Sequence, residues 1–424
     1  MEWTAAAERY GQYFLIRPAT APMNFATFSS PAFFADPYPL YAQLRAKGAL
    51  LELAPNVRVT GDYALIDALL RERRAGKTYL ESVRVRYGEE RVGMPVFQVL
   101  SRMFLMMNPP VHTRLRKLLM KAFNARQIEN LREIVEASTH ELLDAIAAKP
   151  EFDFVADYAL PQPLNVICRL LDIPFEDGAR LGRAASCVAS ALDLAPLGEA
   201  MLAEANEGAL ALEAYFEGVI EQRRRQPGTD LVSALISVED EGETFDEKEV
   251  IANVMLLFIA GHETTSNTMG NAMIALFRNP ESLAAMAADP AQVPGGVAEL
   301  VRYDSSVQVV VRTVFEDLEL EGHALPRGTL LFLLVGASNR DPAVFADPDR
   351  LDIRRANAKA SLSFGGGIHY CLGARLAQME LEIAIGAMLA RFPKLSPVDL
   401  DRLEWHHRNN LRGVKALPMR TGVN

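Results

Sequence analysis

The stretch Phe364-Gly365-Gly366-Gly367-Ile368-His369-Tyr370-Cys371-Leu372-Gly373 governs the reading of the whole chain. It precedes a run whose apolar residues Leu376, Met379 and Ile383 fall at helical spacing, so Cys371 stands at a helix entrance. A sulfur there meets the positive end of the helix dipole and free backbone N–H groups, and the glycines let those amides come close. Both effects favour a thiolate. A lone cysteine is otherwise a small buried hydrophobe, and it is the glycine loop that marks this one as a metal ligand. Zinc does not fit, because no second cysteine pair or spaced histidine completes four ligands; haem iron needs only one protein ligand from this side. A dinucleotide-binding loop does not fit either, since the third glycine of G-x-G-x-x-G would fall on Tyr370.

Working outward, the sequence reads as mainly α with a small β portion. Ala, Leu, Glu and Arg recur at three- and four-residue steps over about 110–225 and again over 246–289. Strand-like runs are short and cluster early, at 49–53 and 57–60, and late, at 307–315, 318–320, 330–335 and 414–419. No polar linker divides the chain, so residues 1–424 are expected to form one domain. One helix is expected over 246–278: Asp246 and Glu249 have capping-box spacing, and Asn279-Pro280 stops it after roughly 48 Å. Its segment 254–259 is apolar all round, as in a buried helix, yet Ala260-Gly261-His262-Glu263-Thr264-Thr265-Ser266-Asn267-Thr268 follows as a polar block. Either those hydroxyls bond back to the preceding turn while Gly261 allows close packing, or a groove with water and an acid opens beside a reacting centre.

The 44 Lys and Arg against 54 Asp and Glu give a net charge of −10, which excludes a general nucleic-acid binder. Cys168, Cys187 and Cys371 are too few and too irregular for a disulfide framework, which fits a reducing cytoplasm. Residues 1–22 lack the basic and apolar regions of a signal peptide, and no apolar run approaches the roughly 18 to 20 residues of a membrane helix. A cytoplasmic protein without membrane contact is expected.

The loop resembles the F-G-x-G-x-H-x-C-x-G signature of the haem-thiolate monooxygenases, the cytochromes P-450, at every fixed position, and the resemblance spans nearly the whole chain. Ala260-Gly261-His262-Glu263-Thr264-Thr265 resembles the family's oxygen-activating helix. Glu299 and Arg302 resemble its E-x-x-R pair, with Arg350 in Pro348-Asp349-Arg350 as the third member; Glu221 and Arg224 match the bare spacing too and read as a surface pair. The resemblance implies the P-450 fold, with haem buried between helices and a smaller β-rich lobe built from the chain's early and late segments. It implies Cys371 as the iron ligand of haem b (iron protoporphyrin IX), with Phe364, Gly365, Gly373 and Ala260 against the cofactor. Its propionates would be held by His112, Arg116, Arg312 and His369. One departure is Asn108-Pro109-Pro110-Val111-His112, where relatives often carry acids at the first and fourth positions.

The same resemblance makes Thr264 and Glu263 the catalytic pair that positions and supplies protons. Electrons are expected from a separate ferredoxin or flavodoxin with its NAD(P)H reductase, docking on Arg114, Lys117, Lys121 and Arg375. The substrate pocket is expected to use Phe258, Ala260, Val307, Val309, Val310 and Asn410, with Met94 in an apolar lid over 94–107. A bulky apolar metabolite such as a polyketide, terpenoid or cyclic peptide would then receive one oxygen atom from O2, the chain acting as a monomer. A peroxide-driven or oxidative-coupling enzyme, or a haem-binding sensor or carrier, are the other readings.

Overall fold

Short runs from distant parts of the chain, two of them rich in Val and Thr, meet in one sheet. In the computed structural model, which describes residues 25–123 and 125–422, Leu51–Ala54 (β1), Val57–Thr60 (β2), Ala75–Gly76 (β3), Val310–Val314 (β4) and Leu330–Leu333 (β5) lie in the order β1-β2-β5-β4-β3. β2 runs parallel to β5, with Val59 opposite Phe332. The other pairs are antiparallel, and they set Arg312 opposite Leu331 and Gly76 opposite Thr313. The expected run 307–315 contracts to β4 because Val307 makes only an isolated bridge to Leu411, and the run 330–335 stops at Leu333 because Val335 already opens a short helix. The two-residue β3 has too little pattern to be seen in sequence.

The helices that position the site are Tyr79–Tyr87 (α1), Val111–Ala122 (α2), Pro161–Leu171 (α3), Phe175–Ser190 (α4), Glu247–Arg278 (α5), Val293–Tyr303 (α6) and Ala374–Arg391 (α7). α5 begins where the capping box expects it: Glu249 N donates to Asp246 Oδ1 at 2.8 Å, and Asp246 N donates to Glu249 Oε2 at 2.9 Å. Asn279-Pro280 ends it after 32 residues. α5 threads both large apolar clusters, with Val254, Met255 and Phe258 in one and Met269, Met273 and Leu276 in the other. Gly261 lies against α3, where a Cβ would come within 3.1 Å of Ile167 Cδ1.

Glu299 and Arg302 on α6 form a fully buried bidentate pair at 2.6 and 2.7 Å. The third cation is Arg355, and the expectation of Arg350 is corrected. Arg355 Nε donates to both carboxylate oxygens of Glu299, at 3.0 and 3.1 Å. Arg350 is exposed and contributes only its carbonyl, which accepts from Arg355 Nη2 at 3.1 Å. The cause is the chain's path. Asp347, at φ 44°, starts a turn closed by Arg350 N on Asp347 O, and a second turn over 352–355 brings Arg355 back under α6. The network continues: Arg302 Nη1 donates to Asn339 O at 2.7 Å, and the Asn339 side chain bonds Ser363 Oγ and Leu362 N just before the cysteine loop. Glu221 and Arg224, by contrast, do pair at the surface but with other partners, Arg225 and Glu247.

Glu299→Ala leaves two buried guanidinium groups uncompensated and is expected to cost about 3–5 kcal/mol. Arg355→Ala is expected to be similarly damaging, while Arg350→Ala stays within about 0.5 kcal/mol of the parent. Denaturant unfolding of the three variants checks the assignment, and a large loss in Arg350→Ala would contradict it.

Candidate active site

The cysteine loop is shaped by what presses on it. Gly365 and Gly367 sit at φ 72° and 59°, and a Cβ on Gly367 would fall 2.1 Å from Leu70 O, so only glycine lets the loop lie on the helix Tyr63–Arg71. Cys371 N donates to Phe364 O at 2.9 Å and closes the loop. Cys371 faces a cavity of about 580 Å³ whose opposite wall is the α5 stripe Ala260, Thr264 and Thr268, four residues apart. Burial pushes the thiol pKa up, while a bond from the Gly373 backbone and the Arg116 charge pull the other way.

Basic groups converge beside Cys371. His112 and Arg116 stand one turn apart on α2, Arg312 comes from β4, His369 from the loop, and Lys77 follows β3. The His112 and His369 rings are 4.3 Å apart. Both nitrogens of each ring, and Arg116 Nη1, are buried without a hydrogen-bond partner. Arg312, 2% exposed, donates only to Val311 O. The electrostatic cost is visible in every member. His369 is pushed down to about 2 by burial and then by Arg312, Lys77, His112 and Arg116. His112 falls to about 4 through burial, Arg116 and Arg312. Burial lowers Arg312 to about 10 and takes Lys77 well below the usual lysine range, with Arg312 adding to the latter. None of these five forms an ion pair with a carboxylate among the described residues. Buried cations in this state demand an anionic ligand, and a group with two carboxylates lying over Cys371 fits them.

On the far wall, Thr264 Oγ1 donates to Ala260 O at 3.0 Å, and Thr268 Oγ1 donates to Thr264 O at 2.7 Å. The back-bonding alternative for these hydroxyls is therefore realised, together with the close packing at Gly261. Because its proton is held by Ala260, the Thr264 oxygen turns lone pairs to the cavity. Glu263 pairs with Arg408, which also donates to Asp193 Oδ2 at 3.1 Å and to Ala189 O at 3.1 Å.

The comparisons with known proteins agree with this geometry. A family model described as Cytochrome P450 matches residues 188–404. A putative cytochrome P450, 133B2, of Xylella fastidiosa is 47% identical over 395 residues, 93% of this chain and 98% of that protein. This chain belongs to the cytochrome P450 family. The vitamin D(3) 25-hydroxylase of Pseudonocardia autotrophica is 34% identical over 93% of this chain and 96% of its own length. The solved structure of P450BioI in complex with an acyl carrier protein ligated with hexadec-9Z-enoic acid superposes with a TM-score of 0.85 at 32% identity, covering 92% of this chain and 99% of that one. The chain is accordingly a P450 monooxygenase of a family that carries haem, and no helix among its described residues is long and apolar enough to cross a membrane.

Within this P450 the cavity wall includes Phe364, Gly365, His369, Cys371 and Gly373 on one side and Ala260, Glu263 and Thr264 on the other, with Arg116 and Arg312 at its edge. Val307, Val309, Val310 and Asn410 also line it. Two expected pocket residues do not. Phe258 is fully buried and packs on Phe216 and His262, because two residues from Ala260 is a rotation of about 200° around α5. Met94 caps the helix Pro95–Ser101 and takes a hydrogen bond from Asn206 Nδ2 at 3.5 Å, leaving Phe104, Leu105 and Met106 as the residues of 94–107 that reach the cavity. The expected basic dock is also altered: Arg114, Lys117 and Lys121 pair with Glu243, Glu249, Glu241 and Asp240 of the neighbouring segment.

Sequence reading missed three groups. Lys77 is held by Asn108, whose Oδ1 accepts Lys77 N at 2.8 Å and whose Nδ2 donates to Lys77 O at 2.7 Å. The departure at Asn108 thus has a structural use, and was the one signal available. Arg408 is invisible without its fold partners. Glu380 on α7 is 2% exposed and bonded to Thr265; burial raises its carboxyl pKa well above the usual range, the Thr265 bond opposing. A buried carboxyl that keeps its proton in the fold but loses it when unfolded costs stability as pH rises above about 4.3, its unfolded value. Glu380→Gln removes that titration and is expected to be more stable than the parent by a margin that widens from about pH 5 to about pH 8 in denaturant unfolding. A margin independent of pH would show that Glu380 is ionised in the fold.

Proposed function

We propose that Cys371 would be the thiolate ligand of haem b and that His112, Arg116, Arg312, His369 and Lys77 would hold its two propionates. The observation that carries this is the set of buried cationic and imidazole groups beside Cys371 that lack any anion of their own. When bound, haem supplies dioxygen binding and reductive activation that ends in insertion of one oxygen atom into a C–H or C=C bond. A bound cation also reverses the effect of burial on the thiol, making the thiolate the favoured form.

The chain's own residues then do four things. The cysteine loop orients the sulfur in the cavity wall, and Phe364, Gly365, Gly373 and Ala260, which line the same cavity, would lie against the cofactor. Thr264, with its proton committed to Ala260 O, accepts a hydrogen bond at the distal wall and fixes where a proton can be delivered. Glu263 connects that wall to solvent protons once it leaves Arg408. Val307, Val309, Val310, Phe104 and Leu192 exclude water and position an apolar body over the reacting centre. The acid and alcohol side by side support oxygen activation over a haem sensor or carrier. They also support it over a peroxide-driven enzyme, which has no use for metered protons. Electrons come from a separate ferredoxin or flavodoxin with its reductase, and the enzyme tailors a hydrophobic metabolite in the cytoplasm as one catalytic domain.

Thr264→Ala tests the distal assignment. Haem content and substrate affinity are expected to stay near the parent's, while product per NADPH falls by about tenfold and the missing electrons appear as hydrogen peroxide. Glu263→Gln is expected to slow turnover with less uncoupling. Product-to-NADPH ratios unchanged in Thr264→Ala would remove Thr264 from the mechanism.

A further inference from the structure

Two arginines reach the cavity away from Cys371, and they differ in their partners. Arg408 is saturated by the carboxylates of Asp193 and Glu263 and by Ala189 O. Arg86, at the end of α1, donates from Nε to Ser82 O at 3.3 Å and from Nη1 to Asp193 O, both neutral carbonyls. No carboxylate among the described residues forms an ion pair with Arg86, and its Nη2 donors remain unused. The acids lining the same cavity are engaged elsewhere or exposed: Asp193 and Glu263 take Arg408, Asp193 also takes the Asn409 and Asn410 amides, and Glu81 is exposed beside Arg84.

Tyr79, Ser82 and Arg86 stand at i, i+3 and i+7, one face of α1, and all three line the cavity. The Tyr79 hydroxyl is buried with no hydrogen-bond partner. Burial holds its pKa well above the ordinary tyrosine value, so it remains a donor. Its charged neighbour is Arg86 and not the cation cluster at Cys371. A guanidinium without a counter-charge and a buried hydroxyl without an acceptor thus face the same space, and a carboxylate satisfies both. Between this face and Thr264 the wall is apolar, including Phe104, Ile167, Leu192 and Ile259.

We infer that Arg86 and Tyr79 bind the carboxylate of the substrate, so that this P450 takes free carboxylic acids whose apolar chain or ring system runs from α1 to the distal wall. The inference rests on the monooxygenase reading and narrows its substrate class. Carrier-tethered acyl groups, which have no free carboxylate, would not use this face.

The test is binding to the ferric holoenzyme, read by calorimetry together with the Soret shift, of dodecanoic acid, its methyl ester and dodecanol. The acid is expected to bind about tenfold more tightly than either neutral analogue, as a charge-assisted pair requires. Arg86→Gln should abolish that preference and Tyr79→Phe reduce it, with affinities for ester and alcohol unchanged; Arg86→Lys should restore part of it. Equal affinity for all three ligands in the parent, or an equal loss for all three in Arg86→Gln, would overturn the inference. The spectrum of the ferrous carbonyl form, recorded on the same samples, reports separately whether the thiolate-ligated haem is intact, so failure here is distinguishable from failure of the monooxygenase reading.

Discussion

Five basic side chains gathered beside Cys371, none of them paired with a carboxylate among the described residues, constitute the constraint on which the rest of the structure depends. Burial depresses all five, neighbouring cations add to it at Lys77, His112 and His369, and a dianionic group relieves the repulsion. Much of the fold serves to bring these groups together. β3 and β4 pair so that Lys77 and Arg312 emerge on the same side, α2 presents His112 and Arg116 one turn apart, and the glycine loop supplies His369 two residues before the sulfur. Four distant segments of the chain are thereby tied to one small volume.

The sulfur's own position is held from behind. Glu299 gathers Arg302 and Arg355, Arg302 reaches Asn339, and Asn339 bonds Leu362 and Ser363 at the start of the cysteine loop. Every polar group in this chain of contacts is buried and partnered, so displacing one member exposes the others to an uncompensated charge or an unmade hydrogen bond. α5 forms another wall, and its length lets one helix join both apolar clusters while presenting Ala260, Glu263, Thr264 and Thr268 along with apolar side chains to the cavity. Rigidity on both sides is what a site needs if a proton is to be delivered to one place and not another.

How far the sequence could be read follows from which interactions are local. α5 was legible because its capping box and Asn279-Pro280 bracket a strong pattern, and the cysteine loop because steric demands fix its glycines at known offsets from Cys371. His112 and Arg116 were legible as one helix face. Arg355 was not, because the cation that meets Glu299 is chosen by two successive turns after Asp347 and not by any spacing from Glu299. Lys77 was hidden for a similar reason: it follows a two-residue strand and is fixed by Asn108, thirty-one positions along. Phe258 and Met94 belong to the pocket only by region: a rotation of two residues buries Phe258 in the core, and a helical cap holds Met94, half-buried, against the same cluster.

The central claim is that Cys371 ligates iron as a thiolate within this cationic cradle. The most direct measurement is the absorption spectrum of the ferrous carbonyl form of the purified protein and of Cys371→Ser. The parent should show the strongly red-shifted Soret band that a thiolate donor produces, and the variant, left with a weakly donating hydroxyl, should lose that band along with most of its haem. A Cys371→Ser protein that kept both haem and the red-shifted band would contradict the account.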